Sequence, residues 1–216
     1  SVVYAAFSYL NSLPDDNPKH VDKILIIGPL SCFKAWEDEY EACFGEECDS
    51  QRLSGAVDPE EKKTYFYRPK QRLVTLIHYQ SLSSKVDEVK HFLNSNKVMI
   101  VVDEAHKIKN MEGVWASAAL EIAKHSAACA RVILTGTPIP NGYEDLYTLY
   151  KFIWPDRDVI GANPIRLRRF TEHPNTPSVR EQIEKVIDNI SPFFIRIKKS
   201  NLRLPPPVEH GPTLVE

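Results

Sequence analysis

Apolar and polar positions along this chain fall into blocks whose period alternates between that of buried strands and that of helices. Val98 to Val102 (VMIVV) is an unbroken run of five apolar residues. It is too short to cross a bilayer and too continuous for a strand with one wet face, so it predicts a central parallel strand buried on both sides. Lys23 to Gly28 (KILIIG) predicts a second buried strand, Arg72 to His78 (RLVTLIH) a third and Arg131 to Leu134 another, with a short one within Asp49 to Gly55. Between them the spacing becomes helical. Ser1 to Leu10 offers Val2, Val3, Ala6 and Leu10 to one face, and Phe33, Trp36, Tyr40 and Phe44 recur along a second helix. Ser31 is a candidate N-cap for that helix, Trp36 and Tyr40 read as core, and Glu37, Asp38, Glu39 and Glu41 read as its solvated side. Pro59 to Lys63 reads as a charged helix or loop. Further helices are expected near Val86 to Leu93, Val114 to Lys124, Tyr143 to Trp154 and Ser178 to Ile190. Strands alternating with helices in this way predict an α/β fold with a doubly wound, mostly parallel sheet.

After Trp154 the pattern changes. Residues 157 to 178 hold Arg166, Arg168, Arg169 and three prolines with little periodicity, which reads as an insertion or a loop. The tail beyond Leu204, with Pro205, Pro206 and Pro207, reads as extended linker. At 216 residues, 43% hydrophobic and 26% charged, the chain has the composition of a soluble globular domain with a substantial core. No apolar run approaches the roughly 18 residues of a membrane span, and no signal peptide is expected. Cys32, Cys43, Cys48 and Cys129 lack zinc spacing and read as thiols in a reducing compartment. A net charge of -2 provides no overall nucleic-acid footprint, so any such binding must come from a local face.

The candidate chemistry follows the central strand. Asp103 and Glu104 stand where the strand runs out, at the sheet edge where open α/β folds bind ligands. One acid can hold Mg²⁺ through water while its neighbour orients an attacking water. A capping role, with Asp103 starting the next helix and Glu104 in its first turn, uses the same residues.

Asp103-Glu104-Ala105-His106, continuing through Lys107-Ile108-Lys109-Asn110, resembles motif II of superfamily-two helicases in the form found in Swi/Snf-type DNA translocases. Thr135-Gly136-Thr137-Pro138, extended by Ile139-Pro140-Asn141, resembles motif III. Pro29-Leu30-Ser31 followed by Trp36-Glu37-Asp38-Glu39-Tyr40 resembles motif Ia. Leu76-Ile77-His78-Tyr79-Gln80 occupies the place of motif Ib but departs from its usual TTYE. Phe193 to Ser200 before Leu204-Pro205-Pro206 resembles the segment that closes the first lobe, with Ile197 in place of a second arginine. The resemblance covers nearly the whole chain and implies a RecA-like, P-loop NTPase lobe with a helical C-terminal appendage, organised as 1–156 ATP-binding lobe, 157–200 helical extension and 201–216 linker.

It further implies an ATP- and Mg²⁺-dependent DNA translocase. Asp103 and Glu104 would be the catalytic carboxylates, with Asp103 holding Mg²⁺ through water. His106, Thr135, Gly136 and Thr137 would couple the nucleotide to DNA, and Pro29, Ser31, Lys109, Asn110, Asn141 and Arg196 would contact nucleic acid. The implied partners are duplex DNA and a second RecA-like lobe. The implied location is intracellular, cytoplasmic in a prokaryote and nuclear in a eukaryote. No Walker A run occurs in the 216 residues, so the phosphate loop is expected upstream of Ser1, with Ser1 a candidate for its last residue, and residues 1–216 alone are expected to be inactive. Two other readings stay open: a nucleic-acid or protein-binding scaffold that keeps the fold without chemistry, and the motor lobe of a restriction or repair enzyme.

Overall fold

Period-two alternation in the buried strands sorts their side chains into two apolar layers. The structure, a computed structural model, describes residues 2–55, 57–125, 130–137, 139 and 141–196. Ser1, Cys129, Pro138, Pro140 and everything from Ile197 onward, the proline tail included, lie outside them. The described strands are β1 (Lys23–Gly28), β2 (Ser50–Leu53), β3 (Val74–His78), β4 (Val98–Val102) and β5 (Arg131–Ile133). They form one all-parallel sheet in the order β2-β3-β1-β4-β5. Every residue of β4 is buried.

Leu25, Ile27, Ile77, Val98, Ile100 and Val102 point into one layer, and Ile24, Ile26, Val74, Leu76, Met99 and Val101 into the other. Successive side chains of a strand face opposite sides, so a sheet apolar at every position needs helices on both faces. The helices α1 (Val2–Asn11) and α2 (Phe33–Phe44) cover one face through Tyr4, Phe7, Phe33, Trp36 and Tyr40. The other face is covered by α3 (Pro59–Tyr67), α4 (Tyr79–Ser83), α5 (Val86–Ser95), α6 (Val114–His125) and α7 (Asp145–Ile153). Among the described residues, no helix is long and apolar enough to cross a membrane.

The helix α7 carries two apolar faces. Leu149 and Phe152 join the sheet core. Leu146 and Tyr150 join a third cluster with Leu167 and Phe170 of α8 (Pro164–Glu172) and Val179, Ile183 and Val186 of α9 (Pro177–Ile190).

Four local expectations are corrected. The stretch read as aperiodic contains α8, started by Asn163, whose side chain accepts from the Arg166 N–H at 2.9 Å, and by Pro164 in the first turn. Proline suits that position because its missing N–H would find no intrahelical partner there. Only Leu167 and Phe170 of α8 are buried, too few apolar positions to show a period among three arginines. Ser31 does not cap α2. The chain first makes a 3-10 turn over Leu30–Cys32, and Cys32 occupies the cap position without a side-chain cap hydrogen bond. The inward face of α1 is Val3, Tyr4 and Phe7, leaving Val2 and Ala6 exposed. Glu37 is not a free solvated acid either: it accepts from Ser50 Oγ at 2.7 Å and from Arg52 Nε at 2.9 Å, and the Arg52 contact holds its carboxyl below the usual range.

Candidate nucleotide and nucleic-acid site

The parallel register Ile27↔Val102 brings the ends of β1 and β4 side by side at the carboxyl edge of the sheet. The Asp103 N–H donates to the Ile27 carbonyl at 2.8 Å, so the pairing runs one residue past the strand. Gly28 is needed there: a Cβ at this position would lie 2.8 Å from Cys32 Sγ and 3.3 Å from Asp103 Cβ. Cys32 Sγ donates to the Pro29 carbonyl at 2.9 Å. Burial, reinforced by the Asp103 carboxylate, pushes its thiol up to about 12, so it stays protonated.

Both oxygens of Asp103 are engaged. Oδ1 accepts from the Glu104 backbone N–H at 2.8 Å and Oδ2 from Trp36 Nε1 at 2.9 Å. This is not the helix cap that the residue type also suits, since a cap oxygen accepts from an amide two or three residues on. The following 3-10 turn, Ala105–Ile108, has no side-chain cap at all. Glu104 stands at φ 52° and ψ 48°, the one non-glycine residue with positive φ among the described residues. Such backbone is uncommon outside glycine and concentrates at functional sites.

The turn is tied down on both sides. Tyr79 Oη donates to the Asp103 carbonyl at 2.5 Å and lies 3.4 Å from that of Glu104. The Ala105 N–H donates to the Leu134 carbonyl at 2.8 Å, and the Leu134 N–H donates to Val102 at 2.8 Å. The acidic turn is thereby joined to the end of β5, where Thr135 Oγ1 accepts from the Thr137 N–H at 3.2 Å. Thr135 is half-buried, and Gly136 and Thr137 are exposed. His106 Nδ1 comes within 3.1 Å of Glu104 Oε2, off the line of a hydrogen bond, and is otherwise buried without a partner.

The expected nucleic-acid residues divide. Pro29 and the exposed Ser31 follow β1 at the same sheet edge. Lys109, Asn110 and Asn141 come together in a cleft of about 520 Å³ that Tyr147, Thr148 and Arg168 also line. Two of its lining residues are joined by Thr148 Oγ1 donating to the Lys109 carbonyl at 2.8 Å. Arg196 stands apart, exposed just past Phe193–Ile195, which border an apolar groove of about 310 Å³ along β5.

A cleft of about 390 Å³ opens beside Asp103, lined by Cys32, Ala35, Trp36, Glu39 and Leu134. Among the described residues no group of three or more His, Cys, Asp or Glu could hold a metal by itself. The donor set is one fixed carboxylate with a second beside it. That suits Mg²⁺, which keeps several waters and takes its other ligands from phosphate oxygens.

Of the residues that shape this turn, sequence reasoning gave the Trp36 side chain to packing and Cys32 to an incidental thiol, and it placed Gly28 and Tyr79 inside motif resemblances without assigning either a site role. For Trp36 the available signal was its position four residues after Cys32, the cap residue of α2, and both line the cleft beside Asp103.

The family model described as the SNF2-related domain matches residues 6–214. The chain is 29% identical over 136 residues to the human "DNA repair and recombination protein RAD54B", covering 62% of this chain and 14% of that protein. It is 27% identical over 237 aligned positions to the Candida albicans "DNA repair protein RAD5", covering 98% of this chain and 21% of that one. The chain thus spans about a seventh to a fifth of the length of these relatives. Among solved structures, the Sulfolobus solfataricus SWI2/SNF2 ATPase core in complex with dsDNA superposes with a TM-score of 0.63 at 23% identity, covering 93% of this chain and 38% of that one. At that identity the likeness speaks for the fold.

Proposed function

Because this chain belongs to the SNF2-related domain family, we propose that it is the first RecA-like lobe of a DNA-stimulated ATPase that moves along duplex DNA. The observation that carries the reading is the turn at the end of β4. One carboxylate is pinned through both oxygens, and the next, on left-handed backbone, keeps its side chain 47% exposed. Asp103 is suited to hold Mg²⁺ through water, and Glu104 to orient a water and take its proton. Bound with ATP, Mg²⁺ supplies charge stabilisation to the transferred phosphoryl group.

Trp36 fixes the plane of the Asp103 carboxylate, and Tyr79 fixes the peptide that aims Glu104. The backbone ladder from Ala105 to Leu134 gives His106 and Thr135-Gly136-Thr137 a short path between the nucleotide carboxylates and the DNA side. Lys109, Asn110 and Asn141, sharing one cleft, are the residues we assign to the DNA backbone, with Pro29 and Ser31 at the sheet edge; phosphate contacts of this kind set position rather than sequence preference.

In this reading residues 1–156 are the ATP-binding lobe, 157–200 a helical extension whose α8 and α9 pack on α7, and 201–216 a linker toward a second RecA-like lobe. Residues 1–216 contain no phosphate-binding loop, so they would not hydrolyse ATP alone. The protein would act inside the cell wherever its DNA is held.

The test is ATP hydrolysis by the native full-length chain with and without duplex DNA, beside Glu104→Gln in the same chain. Turnover that needs DNA and falls by about 10²- to 10⁴-fold in the variant, the range for loss of a general base, is expected. Equal turnover in both would remove Glu104 from the chemistry. Binding of DNA without hydrolysis in either would point to a scaffold.

A further inference from the structure

Glu104 holds a left-handed backbone conformation that carries a steric cost for an L-residue, and Asp103 beside it must keep one carboxylate plane. Two aromatic side chains from different elements meet this demand. Trp36, on α2 after the β1 loop, is 7% exposed, and its indole N–H donates to Asp103 Oδ2 at 2.9 Å. Tyr79, the first residue of α4 directly after β3, is 1% exposed and donates to the Asp103 carbonyl at 2.5 Å.

Neither ring is free to turn. Trp36 packs edge-on against Tyr4, with ring centroids 5.5 Å apart, and its backbone carbonyl accepts from the Tyr4 hydroxyl at 2.9 Å. Tyr79 stacks on Trp115 at 5.4 Å with an interplanar angle of 21°. A carboxylate held by side chains whose own rotamers are locked is preorganised. The donors are also well chosen. An indole N–H never accepts a proton, so Trp36 orients Asp103 without competing as a base. Burial and the neighbouring Asp103 charge push the Tyr79 phenol above its ordinary range, so it remains a donor.

We propose that Trp36 and Tyr79 are positioning residues for hydrolysis: the helix following the β1 loop sets the Asp103 carboxylate, and the start of α4 sets the Asp103–Glu104 peptide. The inference rests on the ATPase reading above and adds to it a route. The loop after β1 and the direct junction of β3 with α4 lie at the sheet edge with Pro29, Ser31 and His78, so a strand of DNA that shifts either one changes the aim of the two carboxylates through one hydrogen bond each.

The experiment uses the native full-length chain as such and as Glu104→Gln, Trp36→Phe and Tyr79→Phe. It measures DNA-stimulated hydrolysis against ATP and Mg²⁺ concentration, with DNA affinity read separately by fluorescence anisotropy. Both aromatic variants are expected to bind DNA and ATP within about twofold of the unsubstituted chain while kcat falls on the order of tenfold to a hundredfold, as for a misplaced reacting group. Trp36→Phe is further expected to raise the Mg²⁺ concentration for half-maximal rate, because it frees Asp103 Oδ2, whereas Tyr79→Phe leaves that concentration in place. A packing role alone would lower thermal stability and leave kcat and the Mg²⁺ requirement unchanged, and that result overturns the proposal. Tyr79→Phe removes a single oxygen, so it keeps the test decisive if Trp36→Phe folds poorly. Hydrolysis in the unsubstituted chain with unaltered aromatic variants refutes this inference alone, while no hydrolysis in any chain refutes the ATPase reading and this one together.

Discussion

The left-handed backbone at Glu104 makes a quantitative claim that does not depend on catalysis. Replacing Glu104 by alanine removes the carboxylate but keeps Cβ, and with it the steric cost of φ 52°, about 1–2 kcal/mol. Replacing it by glycine removes that cost and adds the greater chain entropy glycine loses on folding, about 0.5–1 kcal/mol relative to alanine. Both changes abolish the same contact with His106, so the difference between them isolates the backbone. The glycine variant should therefore be the more stable by about 0.5–1 kcal/mol, centred on the roughly 0.75 kcal/mol that separates the midpoints of the two ranges. Native-state hydrogen exchange on the full-length chain reads this directly. The Asp103 amide, bonded to Ile27, and the Ala105 amide, bonded to Leu134, sit on either side of the strained residue. Their protection should be about two- to fivefold greater in Glu104→Gly than in Glu104→Ala, since a tenfold change is about 1.4 kcal/mol. Hydrolysis should be lost in both. If the alanine variant protects these amides as well as glycine does, the turn stores no strain and the inference from conformation to function fails.

Gly28→Ala should destabilise the lobe by about 1–3 kcal/mol, the usual range for overpacking, because its Cβ would meet Cys32 Sγ at 2.8 Å. Chemical denaturation should show much of that loss recovered in Gly28→Ala combined with Cys32→Ala, and independent, additive effects would contradict the contact. His20 supplies a pH test. Its Nε2 faces Asp22 at 2.9 Å and its Nδ1 faces the Leu13 carbonyl at 2.7 Å, so the imidazolium satisfies both oxygens, and the Asp22 hydrogen bond raises its pKa above 6.5. The stability it contributes is full below pH 6.5 and is lost as pH rises through the raised folded value. Denaturation midpoints should therefore fall from pH 6 toward pH 8 in the native protein and change less in His20→Gln; parallel profiles would rule out His20 as the cause.

The fold was legible where burial is total. VMIVV and KILIIG are continuous apolar runs because parallel strands covered on both faces have no solvent side, and both observed strands begin and end at the expected residues. Legibility failed where few residues carry the packing. The helix α8 is anchored by Leu167 and Phe170 alone, and its arginines read as loop. Ser31 has the chemistry of a cap, but a 3-10 turn comes first and moves the helix start beyond its reach. The composition of a cap cannot reveal which of two turns the chain makes before the helix.

The site divides along the same physical line. The placement of Asp103 and Glu104 was legible because the end of a buried strand is a position that sequence marks, and the two acids follow β4 directly. Their restraint was not. Trp36 lies 67 residues from Asp103 and Tyr79 lies 24 residues from it. Only the β1–β4 and β1–β3 registers bring these segments to one sheet edge. An aromatic residue on the inner face of a helix fills the core whether or not its polar atom reaches a carboxylate, so both outcomes leave the same pattern in the sequence. The left-handed turn is hidden for a related reason: glycine would advertise it, but a residue that must supply a carboxylate cannot be glycine. In the proposed function the carboxylate required at 104 therefore excludes the residue the backbone prefers, and the hydrogen bonds from Tyr79 to Asp103 and from Ala105 to Leu134 hold the turn in place.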